Sequence, residues 1–226
     1  MRKIIGVVLL LIVASGIGLT LTKIPFGVQK TKVGSYYINK GISQTGAVNI
    51  VTSVVLNYRG FDTLGEVTVL FIAALGLGAV VFSVNPKKKR DVTPSSLVLK
   101  TGCRFLFPPI LLFGTYIFLH GHLTPGGGFQ GGAIIASAFV LLYLGCRERR
   151  IKRNGLIAIE SVGGLVFVIV GLLGLAFGGY FLINFLPKGM QNTLFSAGII
   201  PVIYIAIGFK VGSELAGVIA DLIEET

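Results

Sequence analysis

Of the 226 residues, 53% are hydrophobic and only 13% charged, and the mean hydropathy is +0.86. A soluble domain of this length carries roughly a quarter of its residues charged, so the composition excludes a soluble globular class and is that of a membrane protein. A net charge of +11 would point to nucleic acid in a soluble chain; here the placement of the basic residues makes it a topology signal, and no nucleic-acid partner is expected.

Apolar runs long enough to span a bilayer occur at Ile4–Leu21, Leu64–Val84, Leu97–Leu119, Phe129–Gly145, Leu156–Phe177 and Leu194–Ala220. Each is near or above the roughly 17 to 25 residues that a helix needs to cross about 30 Å of hydrocarbon. The expected fold is therefore an all-α integral membrane protein with six transmembrane helices. Arg2, Lys3 and the small residues Ala14-Ser15-Gly16 also fit a cleavable leader, but the apolar run continues past them to Leu21, which favours a retained span.

After the first span comes the longest polar stretch, Thr22–Thr63, which contains a weaker apolar segment, Ala47–Leu56. That segment is too short to cross and is expected to lie along, or dip into, the outer face. The second span ends at a basic linker, Asn85–Ser96, which divides the chain into a two-helix portion, 1–90, and a four-helix portion, 91–226. Pro108-Pro109 falls midway along the third span and Pro201 early in the sixth. Each removes a backbone hydrogen bond and predicts a kink.

The third and fourth spans are joined by His120–Gly132, a short glycine-rich loop whose only ionisable side chains are two histidines. Its composition predicts a tight hinge at the membrane surface, with backbone amides free to meet another subunit, a lipid head group or an ion. With the N-terminus inside, thirteen Lys and Arg fall on the inner side, among them Arg2, Lys3, Lys87, Lys88, Lys89 and Arg90, and six on the outer side, Lys23, Lys30, Lys32, Lys40, Arg59 and Lys188. Both termini are accordingly expected in the cytoplasm and the loop outside, in a multi-pass protein of the cell membrane in contact with lipid. With no Trp present, Tyr and Phe must supply interfacial anchoring. Cys103 and Cys146 do not suggest a disulfide framework.

Ionisable side chains at membrane depth are expensive and mark protein-facing or ion-conducting positions. Four stand out as ion-path candidates: Glu66, Glu160, Lys210 and Glu214. Glu160 shares a helical face with Gly164, Gly171, Gly174 and Gly178, a stripe that invites a closely packed neighbouring helix. It could equally reach the inner surface and pair with Arg153. Lys210 and Glu214 are one turn apart, on a face continued by Gly217 and Asp221; they could form a structural pair or part of a proton relay. Asp62 and Glu66 also share a face, with Asp62 explained as a helix cap and Glu66, deeper, the better cation or proton site.

His120 and His122 are secondary candidates. The His-x-His spacing alone makes no metal site, since no Cys, Asp or Glu in the loop completes it, and a hydrogen-bonding or pH-sensing role fits better. Gly126-Gly127-Gly128 lacks the Lys and Ser/Thr of a phosphate loop. Thr124, Pro125, Gly126, Gly127, Gly128, Gly131 and Gly132 are expected to act as a structural loop. No cofactor motif occurs in the chain.

The run Thr124-Pro125-Gly126-Gly127-Gly128-Phe129-Gln130-Gly131-Gly132, leading into Ala133-Ile134-Ile135-Ala136-Ser137-Ala138-Phe139, resembles the B subunit of Mrp-type multisubunit sodium/proton antiporters. The run Tyr58-Arg59-Gly60-Phe61-Asp62-Thr63-Leu64-Gly65-Glu66, followed by Ala73-Ala74-Leu75-Gly76, resembles the C-terminal segment of the large A subunit. Their joining in one chain resembles archaeal respiratory complexes of the membrane-bound hydrogenase and sulfur-reducing types. The resemblance implies a subunit of a sodium/proton antiporter module, with Glu66 as the acidic position of the front motif. It would not be an enzyme by itself, and sodium would be its transported substrate. Its partners would be other antiporter-type membrane subunits, together with hydrogenase-type or iron–sulfur subunits of the same complex. The alternative is a non-conducting scaffold that holds larger antiporter subunits together.

Overall fold

The structure is a computed structural model that describes residues 2–24, 32–84, 95–146 and 153–225. Most of the basic linker, Asn85–Pro94, and the basic residues between Arg147 and Lys152 lie outside the described residues. The described residues are helical, in the order α1 (Arg2–Lys23), α2 (Lys32–Thr45), the single turn α3 (Ile50–Thr52) continuing into a π-helical turn (Ser53–Tyr58), α4 (Gly60–Val84), α5 (Leu97–Leu119), α6 (Gly128–Gly145), α7 (Arg153–Gly178) and α8 (Ile200–Glu225). Six of these, α1 and α4 to α8, are long and apolar enough to cross a membrane.

The chain divides into two compact units, Met1–Tyr36 and Tyr37–Thr226. In the first, α1 is apolar all round, and its described side chains are exposed from Lys3 onward. Such a helix is stable where lipid replaces water around it.

The second unit is built around α8, which packs against α6, α7 and α4, while α5 covers α6. The reason lies in its sequence: Ile203, Ile207 and Val211 are buried knobs, and Gly208, Gly212 and Ala216 are small enough to let neighbours approach. A methyl group on Gly132 would lie 2.9 Å from the Gly212 nitrogen, and one on Gly131 would lie 2.7 Å from the Gly114 carbonyl oxygen. The glycines of α6 therefore set both its crossings, with α8 on one side and α5 on the other. Lipid-facing apolar side chains such as Val69, Phe105, Leu112, Val162 and Leu172 remain exposed on the outer helices.

Several sequence expectations are corrected here. The last span begins at Ile200, not Leu194, because Ala197 and Gly198 both take left-handed backbone, with φ of 67° and 61°. Pro201 thus falls in the first turn, where its missing N–H breaks nothing. Pro108 and Pro109 lie inside α5, where the sequence placed them.

Within the Ala47–Leu56 segment, Ala47, Thr52, Ser53 and Leu56 are buried. It docks onto the glycine-rich loop. The Asn49 backbone N–H donates to the His122 carbonyl, and the Asn49 side-chain amide donates to the carbonyls of Gly121 and Thr124. Thr52 donates its hydroxyl proton to the Gly121 carbonyl, so the 2.8 Å contact to Tyr204 on α8 must be donated by the tyrosine. The carbonyls of Gly121, His122 and Thr124 in the loop are thus engaged by the chain itself.

Candidate functional site

Lys210 sits ten residues past the start of α8, about 15 Å along the helix and so near the middle of a hydrocarbon layer of about 30 Å. One turn further on, Glu214 accepts a 2.7 Å bond from Lys210 Nζ through Oε2. Glu160 on α7 brings Oε1 to 3.9 Å from the same ammonium. Phe71 on α4 places its ring centroid 5.2 Å from Nζ, a cation–π contact. Three spans therefore converge on one lysine.

This convergence depends on glycine. A methyl group on Gly163 would lie 2.7 Å from the Ala206 carbonyl oxygen and 3.1 Å from Lys210 Cβ, and Gly164 borders the outer carbons of the same side chain. The expected glycine face of α7 is filled in two ways. α8 occupies the part nearest Glu160, and the chain's own returning segment covers the rest, with the Phe181 ring against Gly171 and the Ile183 backbone against Gly174.

The three side chains differ in access. Glu214 is 1% exposed, Lys210 8% and Glu160 20%. With an effective dielectric constant of about 20, a unit ion pair attracts by roughly 6 kcal/mol at 2.7 Å and roughly 4 kcal/mol at 3.9 Å. The ammonium is held first by Glu214, but the difference is small enough for Glu160 to share it. Two carboxylates and one ammonium leave a formal charge of −1, and Glu214 Oε1 is buried without a hydrogen-bond partner.

A groove of about 340 Å³ runs beside the cluster, lined by Phe71, Glu160, Ser161, Ser213, Glu214 and Asp221 among others. Arg153 and Asp221, which also line it, pair with each other. Arg153 is therefore committed to the end of α8, and the Glu160–Arg153 pairing considered from the sequence gives way to Glu160–Lys210.

The other sequence candidates lie elsewhere. Glu66 is exposed on α4 while its neighbours Thr63 and Val67 are buried, so it points away from the α8 side. It lies about one and a half turns from the start of α4, whereas Glu160 lies about two turns from the start of α7. Asp62 stands in the first turn of α4, where it pairs with Arg59.

His120 stacks on Tyr116 with ring centroids 4.3 Å apart. His122 is fully buried, and neither of its ring nitrogens is hydrogen-bonded, although the backbone of Thr193 and Leu194 faces the ring. Burial holds its pKa below the ordinary histidine value. Among the described residues no group of three or more His, Cys, Asp or Glu side chains is placed to hold a metal ion. Of the structural-loop residues, Gly127 takes φ +155° and Gly128 lies against Ile207, so Gly126 to Gly128 turn the chain tightly onto α8.

Sequence reasoning picked out the residues of the cluster but not the groove. Phe71, Ser161 and Ser213 carry no sequence signal, since one aromatic and two serines in apolar runs are unremarkable.

Comparison with known proteins accounts for both halves of the chain. Residues 98–217 match the family described as "Domain related to MnhB subunit of Na+/H+ antiporter", and residues 1–96 match the family described as the E subunit of MBH. An uncharacterised protein of Methanocaldococcus jannaschii is 34% identical over 194 residues, 74% of each chain. The A/B subunit of a probable K+/H+ antiporter of Rhizobium meliloti is 29% identical over 178 residues; the match covers 66% of this chain but only 18% of that much longer protein. The solved structure of the membrane-bound sulfane sulfur reductase, an archaeal respiratory membrane complex, contains a chain 46% identical, with a TM-score of 0.82 and 98% of each chain covered. Spanning more than half of the residues, the first match carries the assignment: this multi-pass membrane protein belongs to the family related to the B subunit of Na+/H+ antiporters.

Proposed function

We propose that the chain is a membrane subunit of a sodium/proton antiporter module within an archaeal redox-driven respiratory complex, and that it takes part in sodium/proton translocation. The observation that carries this reading is the Glu160–Lys210–Glu214 cluster, three ionisable side chains on two neighbouring spans with a net negative charge at membrane depth. Such groups persist in a membrane where they serve an ion or proton path. Glu66, exposed on α4, adds a third carboxylate that would be met by a neighbouring subunit. Its partners would be other antiporter-type membrane subunits, with hydrogenase-type or iron–sulfur subunits carrying any redox step. The distribution of Lys and Arg supports a cytoplasmic position for both termini.

The test is sodium/proton exchange by the whole complex in sealed vesicles. Glu66→Gln and Lys210→Met should each lower exchange while the complex still assembles. Unchanged exchange in both, with assembly lost on Gly171→Leu, would instead identify a non-conducting scaffold.

A further inference from the structure

We propose that Cys103 and Cys146 form a redox pair, a buried dithiol that a peroxide converts into a disulfide tying α5 to the last turn of α6. The pair involves none of the residues of the Lys210 cluster.

Position comes first. Cys103 lies in the second turn of α5, and Cys146 closes α6 as its C-terminal cap. The start of α5 and the end of α6 lie on the side that the distribution of Lys and Arg makes the inner one. There the two cysteines share one small apolar cluster with Leu142, against which Phe107 and Leu141 pack. Both are almost fully buried, at 2% and 1% exposure, and both are free thiols. Burial alone suits cysteine as a small apolar side chain. What sets this pair apart is that each sulfur is turned onto the other's helix.

Geometry comes second. A Cβ added at Gly145 would overlap the Cys103 sulfur and lie 2.8 Å from Cys103 Cβ. The two helices therefore meet, one residue before Cys146, as closely as glycine allows. In return the Cys146 thiol donates to the Lys100 carbonyl at 3.8 Å. That carbonyl is the one that the Arg104 amide bonds in an α-helix, so the Cys146 sulfur stands at the level of Cys103. A disulfide needs its Cβ atoms about 3.5 to 4.5 Å apart, a spacing that helices in close backbone contact provide. Among the described residues no group of three or more His, Cys, Asp or Glu is placed to hold a metal ion, so the two sulfurs do not belong to a closed metal site. Their shared chemistry is a bond between them.

The step balances with hydrogen peroxide as oxidant. One thiolate attacks a peroxide oxygen and the O–O bond breaks; the sulfur becomes a sulfenic acid, and the departing hydroxide takes the thiol proton and leaves as water. The second thiol then attacks that sulfur. The Sγ–Sγ bond forms, and the displaced hydroxide leaves with the second thiol proton as another water. Two electrons pass from the sulfurs to the peroxide, and a thiol reductant reverses the change. Hydrogen peroxide is little larger than water, so it reaches the pair when the last turn of α6 frays. Thiols on the inner side are kept reduced, which makes the dithiol the resting state and the disulfide a transient one.

The experiment exposes the intact wild-type complex, free of reductant, to increasing hydrogen peroxide. It is then denatured in a first alkylating tag, reduced, and given a second tag. Cys103 and Cys146 should lose the first tag in parallel and gain the second. Mass spectrometry without reduction should recover a peptide pair joined through the two sulfurs and lighter by two hydrogens. The Cys146 amide, bonded to the Leu142 carbonyl at 2.7 Å, should exchange its hydrogen several-fold more slowly in the oxidised complex at constant pH. Cys146→Ser should abolish the linked peptide and leave Cys103 to be trapped by dimedone as its sulfenic acid. Three results would each overturn the pair: loss of the first tag at one cysteine alone, a link from either to a cysteine of another subunit, or both thiols still fully tagged at a peroxide dose that half oxidises a free-cysteine peptide. A linked complex with unchanged exchange at Cys146 would overturn the tie between the helices.

Discussion

Lys210 is the residue whose removal tells most, because two carboxylates depend on it. Lys210→Met leaves Glu214 and Glu160 facing each other without a counter-charge, which should destabilise the fold by about 3 to 5 kcal/mol. The double change Lys210→Met with Glu214→Gln should recover part of that loss, because it removes the more buried of the two stranded charges, yet should not restore exchange. Thermal unfolding of the detergent-purified complex beside vesicle exchange checks both parts. His122 makes a second prediction. Its folded pKa lies below its unfolded value, so the unfolded state binds the extra proton and stability falls as the pH drops below about 6.5. The protection of the amides of residues 121–124, taken relative to the intrinsic exchange rate at each pH, should fall on acidification, and that fall should be absent in His122→Phe. At this scale the candidates Glu160, Lys210 and Glu214 were readable from the sequence, since a charge inside an apolar run is conspicuous. The outward aim of Glu66 was not, because the side of α4 that meets α8 is decided by packing.

At the scale of elements, glycine placement controls how closely the helices cross. A leucine at Gly132 must occupy space that the backbone of α8 already fills, the Gly212 nitrogen lying 2.9 Å from the position of its Cβ. Gly132→Leu should therefore abolish assembly, whereas Gly76→Leu, where nothing lies within 4 Å, should be accepted; native gel migration of the complex distinguishes them. The polar tie between the Asn49–Tyr58 segment, the glycine-rich loop and α8 is similarly specific. Tyr204→Phe removes the donor to Thr52 and should cost about 1 kcal/mol, read as a lower unfolding temperature with exchange unchanged. The glycine-rich run was legible as a loop, but its partner was not. Asn49 and Thr52 lie in a polar stretch with no periodic pattern, and only their hydrogen bonds to Gly121 and Thr124 reveal that they hold it.

Across the whole molecule, cysteine scanning tests the orientation that the basic residues predict. In intact cells Met190→Cys, at an exposed site in the loop before α8, should react with an impermeant maleimide from outside, and Asn154→Cys only after the membrane is opened; the reverse pattern would invert the topology. Cys103 and Cys146 are buried and should stay silent. Six spans, membrane residence and the B-subunit relationship were determined by the sequence alone, because hydrocarbon imposes the length and polarity of a spanning helix residue by residue and because the motif runs are contiguous. The meeting of Glu160 with Lys210, the commitment of Arg153 to Asp221 and the groove beside them were decided only by tertiary structure. Those residues lie on different helices, and what brings them together is the close approach of α7 and α8 at Gly163, a packing event that no local pattern encodes.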